Sequence, residues 1–351
     1  MLKRITGPGL FRLFLALMVF VHHVTRFAVG GSAVLVFFCL SGFWIYKMYT
    51  GRYSATRQPY LTYIVSRAWR LLPTFWLVTA ITLLFLYFHG TLASYLDGPD
   101  RIHCIVSNLF ILGYSTMREQ PVGSAWSLDI EMQFYLIAPF IAVYLARRKA
   151  VAAWFLLAIA AASLASFLLH NPVTLVSYLV FFVVGMTAAS VDWRPSGRLV
   201  IFFLGAIALA VVLCLASPWR GILLVGEHPG PLSIYTRHAN VALALLTMPY
   251  AIYTTRQKGF RADGMFADLS YIVYLLHWTA FMWIASHPGG MLHRIAYMAV
   301  AWVLVSGLSL VIWKFYDHPI NLMRSRWVSG RKKGATAKAR LIQSAEAGAG
   351  T

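Results

Sequence analysis

Long apolar runs separated by short polar joints dominate this sequence. Ten of them approach the ~20 residues that a helix needs to cross the hydrocarbon of a bilayer: 10–27, 32–49, 71–89, 131–146, 150–169, 173–191, 199–216, 238–255, 266–286 and 295–316. The segment 103–114 (HCIVSNLFILGY) is apolar but too short to cross, and reads as a re-entrant or interfacial helix. The pattern predicts an all-α integral membrane protein, a polytopic bundle of about ten transmembrane helices. Apolar periodicity stops near 328, where the chain turns basic and then rich in Ala and Gly. Residues 1–323 are therefore expected to form one transmembrane domain, with 324–351 a basic, disordered cytoplasmic tail.

Composition narrows the picture further. Of 351 residues, 60% are hydrophobic and only 12% charged, about half the charged share of a soluble domain, and mean hydropathy is +0.68. A two-domain soluble enzyme, a disordered chain, a collagen-like fibre and a disulfide scaffold are excluded. Thirty Lys and Arg against 11 Asp and Glu leave a net charge of +19, which in a soluble protein would suggest nucleic acid. Here it reads as topology. With both termini in the cytoplasm, 22 of the Lys and Arg fall on inside segments and 6 outside, while Arg12 and Lys314 lie within spans. That split follows the positive-inside rule, and no nucleic-acid partner is expected. Lys3 and Arg4 before an apolar run resemble a signal peptide, but Arg12 and His22-His23 inside the run argue for a retained helix. Cys39, Cys104 and Cys214 are far apart, with no metal-ligand spacing.

Ionisable groups at membrane depth are costly and mark functional candidates. Arg12 and His23 are eleven residues apart, which on a helix returns to within about 20° of one face after a rise of about 16 Å. His22 points about 80° away from Arg12 and is the weaker candidate. An anchor at Arg12 with an interfacial histidine pair explains the same pattern. Arg67 and Arg70 in YIVSRAWRLLPTFW share a face at the expected cytoplasmic mouth of the third span. They are either flanking inside charge or a site for an anionic ligand, since arginine's rigid fork suits phosphate. In WSLDIEMQFYLIAPF, Asp129 and Glu131 open an apolar helix that Ser127 is positioned to cap. Because the two acids project to different faces, at least one is expected to point inward, where a carboxylate orients a histidine or acts as a base. In LSYIVYLLHWTAF, Tyr271, Tyr274 and Trp278 form a stripe with His277 beside it, either packing or part of a site. No P-loop, zinc motif or G-x-S-x-G elbow is present, so no metal is expected.

These segments, in order, resemble the acyltransferase type 3 family of integral membrane O-acyltransferases. Arg12 and His23 match its Arg, ten residues, His arrangement. VLVFFCLSGFWI (34–45), with Ser41, Gly42 and Phe43, resembles its FF-x-LSGF signature. SRAWRLLP (66–73) resembles its paired-arginine segment, with Ser66 where a further Arg is common. WSLDIEMQFYLIAP (126–139) is similar to its WSL-x-x-E-x-x-FY-x-x-P block, and SYIVYLLH (270–277) to its SY-x-x-YL-x-H segment. Asp317 and Pro319 resemble its closing Glu-x-Pro, with Asp in place of Glu. The likeness covers about 10–320 and the stand-alone form, without a fused hydrolase-like domain.

The resemblance implies transfer of an acyl group, usually acetyl, from cytoplasmic acyl-CoA to a hydroxyl of a cell-surface or secreted glycan. Acyl-CoA (acetyl-CoA) would be a donor substrate, with no permanently bound cofactor; the partners would be that donor, the acceptor and the lipid bilayer. On this model Arg67 and Arg70 hold the coenzyme A phosphates and Arg12 binds the donor deeper. His23 takes the acceptor proton or shuttles the acyl group, and Glu131 orients or balances it. Ser41, Trp126, Ser127, Tyr135, Tyr274 and His277 line the site. The family and the basic balance lead to the expectation of a bacterial inner membrane. A proton-coupled transporter or flippase is the alternative, against which stands the lack of an inverted repeat.

Overall fold

The computed structural model describes residues 7–96, 101–147, 149–169, 173–225, 230–257 and 259–332. Lys3, Arg4, Arg148, Lys258 and the expected tail beyond Lys332 lie outside the described residues. The chain is α-helical, with no strand among the described residues. The helices are α1 (Pro8–Val24), α2 (Gly30–Met48), α3 (Pro59–Phe88), α4 (Leu92–Leu96), α5 (Arg101–Phe110), α6 (Trp126–Arg147), α7 (Lys149–Leu169), α8 (Leu175–Ser190), α9 (Gly197–Ala216), α10 (Thr236–Thr254), α11 (Asp263–Ala285), α12 (Met291–Ile312) and α13 (His318–Gly330). A helix lies over each of the ten apolar runs. Among the described residues, five segments are long and apolar enough to cross a membrane: Gly30–Tyr53, Pro59–Phe88, Gly123–Arg147, Gly197–Ala216 and Met291–Gly330. The short segment 103–114 becomes α5, whose Ile102, Ile105, Leu109 and Phe110 are uncovered. An apolar face of that kind suits the interfacial position expected for it.

Two boundaries differ from the sequence expectation. Helix α3 begins at Pro59, twelve residues before the apolar run, because proline is well suited to the first helical position. Arg67 and Arg70 therefore project from within a 30-residue helix and not from its end. The first residues expected to belong to the tail, 324–330, are helical instead. Helix α13 runs to Gly330 and docks on α3, with Val328 buried and Trp327 packed 5.9 Å from Trp69. Its basic residues obscured apolar positions that bind it to the bundle.

The core lies where α2 meets α8, and where α1 meets α11. At the first contact, a Cβ on Gly42 would sit 2.0 Å from the Phe182 carbonyl oxygen, and one on Gly185 would sit 1.9 Å from that of Cys39. The two helices notch into each other at these glycines, the packing mode that lets apolar helices gain contact without a hydrophobic driving force. Gly42 in the LSGF segment is thus a packing requirement. Helices α9 and α12, by contrast, leave Ile201, Phe202, Leu209, Val303, Leu304 and Val311 exposed. A continuous apolar exterior of this kind is a liability in water and ordinary against lipid.

Candidate functional site

Helices α1, α2, α3, α6, α11 and α13 meet around a cavity of about 380 Å³. Arg12, Ser41, Arg67, Arg70, Glu131, Tyr135 and Arg324 line it, so the structure brings together most of the polar residues singled out in the sequence. A smaller pocket of about 50 Å³ continues from it, walled by Arg12, Phe37, Ser127, Glu131, Tyr271 and Tyr274. Arg12, Glu131 and Tyr271 belong to both.

The first turn of α1 sets the height of Arg12. Asp263, at the start of α11, accepts hydrogen bonds from the Gly9 and Leu10 amides at 3.0 Å each. A carboxylate there satisfies amides that the helix cannot satisfy itself and complements the dipole. Gly9 is required, because a Cβ would lie 1.8 Å from the Asp263 carbonyl oxygen. One turn on, the Arg12 guanidinium lies 5.8 Å from the Phe37 ring, and its Nε is buried without a partner.

The two acids of α6 separate. Asp129 is fully buried and accepts from the Gly113 amide (3.0 Å), the Ser115 amide (2.8 Å), the Ser115 hydroxyl (2.6 Å) and the Gln133 amide (2.9 Å). It holds the loop after α5. Glu131 faces the cavity and accepts from the Ser41 hydroxyl at 2.6 Å and the Tyr135 hydroxyl at 2.7 Å. Glu131, expected to orient or balance His23, has Ser41 and Tyr135 as its bonded partners. Ser127 is not the helix cap. It donates to the Ser124 carbonyl at 3.1 Å and shares a 2.7 Å bond with the Tyr274 hydroxyl, tying α6 to α11. Trp126 packs outward from this line against Phe38 and Tyr178.

The arginines of α3 also differ. Arg70 is paired with Asp268 at 2.7 Å and Asp317 at 3.2 Å, and Asp317 also accepts from Thr74 and Asn321. Its charge is neutralised within the protein. Arg67 is buried among phenols: it donates to the Tyr53 hydroxyl at 3.1 Å, lies 6.0 Å from the Tyr135 ring, and keeps a buried Nε without a partner. Tyr53 and Asp317, which grip these two arginines, both stand in single π-helical turns, Tyr49–Tyr53 and Trp313–Asp317. Such turns re-aim side chains and are frequent at functional sites.

The histidines form a separate cluster beyond the small pocket. His23 stacks on His277 with ring centroids 5.3 Å apart and meets Trp278 edge-on at 5.2 Å. His277 is fully buried, 5.7 Å from Tyr274. Neither of its ring nitrogens reaches a well-aligned hydrogen bond, though the Val273 and Tyr274 carbonyls are near. His22 turns instead toward Gly30 at the start of α2. Arg324, Asp263 and Tyr53 are site residues that sequence reasoning passed over. Arg324 was absorbed into the basic tail, and the other two carry no motif.

A family model described as an acyltransferase domain matches residues 5–318. No curated protein and no solved structure matches the chain.

Proposed function

The chain belongs to the acyltransferase type 3 family, and from that premise we propose that it moves an acyl group, expected to be acetyl, from cytoplasmic acyl-CoA to a hydroxyl of a cell-surface or secreted glycan. The reaction takes place in a bundle of about ten membrane-crossing helices in a bacterial inner membrane, both termini facing the cytoplasm. The observation that carries this reading is the run of polar groups through an apolar bundle. It leads from Arg67 in the larger cavity, past Arg12 and Glu131, to Tyr274, His277 and His23. A two-substrate transfer across a membrane needs such a run, since donor and acceptor approach from opposite sides.

Arg67 supplies charge for the donor phosphates, and Arg12 contacts the donor deeper in. Glu131, held by Ser41 and Tyr135, balances Arg12. His23 accepts the acceptor's hydroxyl proton as that oxygen attacks the thioester carbonyl. The carbon–sulfur bond breaks, and coenzyme A leaves as the thiolate, which takes up the proton. His277, stacked on His23, fixes the ring. Arg70, already paired with two carboxylates, keeps α3 in place and contributes less to the donor than Arg67.

The test is transfer of label from radiolabelled acetyl-CoA to glycan in isolated membranes. His23→Ala should lower the rate by about 10²–10⁴ through loss of the base, with expression and membrane insertion unchanged. His22→Ala should keep much of the activity. Near-normal transfer by His23→Ala would remove the mechanism. Absence of label from every glycan fraction, with the unaltered protein present, would remove the acceptor class.

A further inference from the structure

Helix α13 returns to the mouth of the larger cavity, and one of its residues completes a cluster of positive charge there. Arg324 lines the cavity beside Arg67. Its Nη1 donates to the Ser66 hydroxyl at 3.0 Å and its Nε to the Asn321 side chain at 3.3 Å. The Ser66 hydroxyl also bonds the Tyr53 hydroxyl at 2.8 Å, which in turn accepts from Arg67 at 3.1 Å. Two guanidinium groups are thus linked by two hydroxyls. Among the described residues neither has a carboxylate within ion-pair distance, whereas Arg70 has two.

Like charges held close in a partly buried setting repel, and an anion between them relieves that cost. Arg67 is buried with an unpartnered Nε, so the site retains unused donor capacity as well as charge. The position of Arg324 is itself fixed. Arg52 donates to the Ser325 carbonyl at 3.2 Å, the Arg57 amide to the Arg331 carbonyl at 3.1 Å, and Trp69 packs on Trp327. These ties hold α13 against α3 and the 49–58 segment without using the Arg324 charge.

We infer that Arg324, together with Arg67, forms the phosphate-binding pair at the cavity mouth, so that α13 is part of the donor site. This rests on the acyl-CoA reading above and assigns that donor's phosphates to a residue outside the paired-arginine segment. Ser66, where an arginine would otherwise stand, instead positions an arginine supplied from the far end of the chain.

The experiment measures affinity for coenzyme A by thermophoresis on the full-length protein in detergent. Arg324→Gln should weaken binding about tenfold or more, the loss expected for a charge-assisted bond to phosphate. Arg326→Gln, two residues on and exposed, makes the same change in net charge and should leave affinity unaltered. Equal affinities for Arg324→Gln and the unaltered protein, or equal losses for the two variants, would overturn the assignment. Should Arg324→Gln fail to fold, the pair Arg324→Lys and Arg326→Lys decides. Only the former should weaken binding, because lysine keeps the charge and loses the two-pronged fork. Failure of the unaltered protein to bind coenzyme A would instead remove the acyl-CoA reading itself.

Discussion

Asp129 and Glu131 stand two residues apart on α6 and serve different ends. The sequence places them on different faces but does not say which face is which, because the apolar residues around them run almost all the way round the helix. The deciding partner is the Gly113–Thr116 loop, brought to α6 by a left-handed Gly113 (φ 76°) that no pattern in the sequence announces. Four donors converge on Asp129, so it is a structural clamp. Glu131 has two hydroxyl partners and an open cavity beyond. Asp129→Ala should therefore lower stability by on the order of 3 kcal/mol, since buried donors lose a charged acceptor, read as an earlier melting transition in detergent. Glu131→Gln should melt close to the unaltered protein yet lose about 100-fold or more in turnover, the scale of an electrostatic or proton-handling group. If the stability loss falls on Glu131 and the activity loss without unfolding falls on Asp129, the roles are reversed.

At the scale of elements, the apolar runs were legible because crossing helices must satisfy every backbone group internally, which forces long uninterrupted stretches. Ends were less legible. Helix α3 starts twelve residues early, and α13 continues into basic sequence, because neighbours and not lipid set those boundaries. The two π turns were invisible, since they depend on tertiary ties: Tyr53 to Ser66 and Arg67, and Asp317 to Arg70 and Thr74. The start of α1 is likewise set from outside, by Asp263 of α11. Asn at 263 keeps one carboxyl-like oxygen and loses the charge, so it can serve only one of the two amides well. Asp263→Asn should cost about 0.5–2 kcal/mol, the range for an altered helix cap, and raise KM for the donor by loosening Arg12 one turn on. A melting transition lowered without any change in KM would mean that the cap supports the fold but does not place Arg12.

Taken whole, the joints sort into two ends. At one end, Lys47 from the close of α2, Arg194 from the α8–α9 joint and Arg256 from beyond α10 all bond Asp192, at 3.2, 2.6 and 2.7 Å. The Arg52 guanidinium donates to the Ser325 carbonyl and the Arg57 amide to the Arg331 carbonyl. At the other end, the 25–29 joint pairs with 223–225 through the Ala28–Leu223 and Val225–Arg26 bonds, and Asn240 near the start of α10 bonds the Ala28 carbonyl. Helices α2 and α10 both run between the two groups, and nineteen residues rise about 28 Å, close to the hydrocarbon thickness of about 30 Å. The basic end is the one that the charge split assigns to the cytoplasm, because lysine and arginine near short loops resist translocation. The charge pattern along the chain and the joint-to-joint contacts rest on different physics, and they group the same joints. Single cysteines settle the orientation. With Cys39, Cys104 and Cys214 first replaced by alanine, a membrane-impermeant thiol reagent added to intact cells should label a cysteine at Gly230 and spare one at Gly330 until the membrane is opened. Both positions are exposed in the structure, so reagent access depends only on the side they face. Labelling at Gly330 and protection at Gly230 would invert the protein, and with it the side from which the arginine-lined cavity meets its donor.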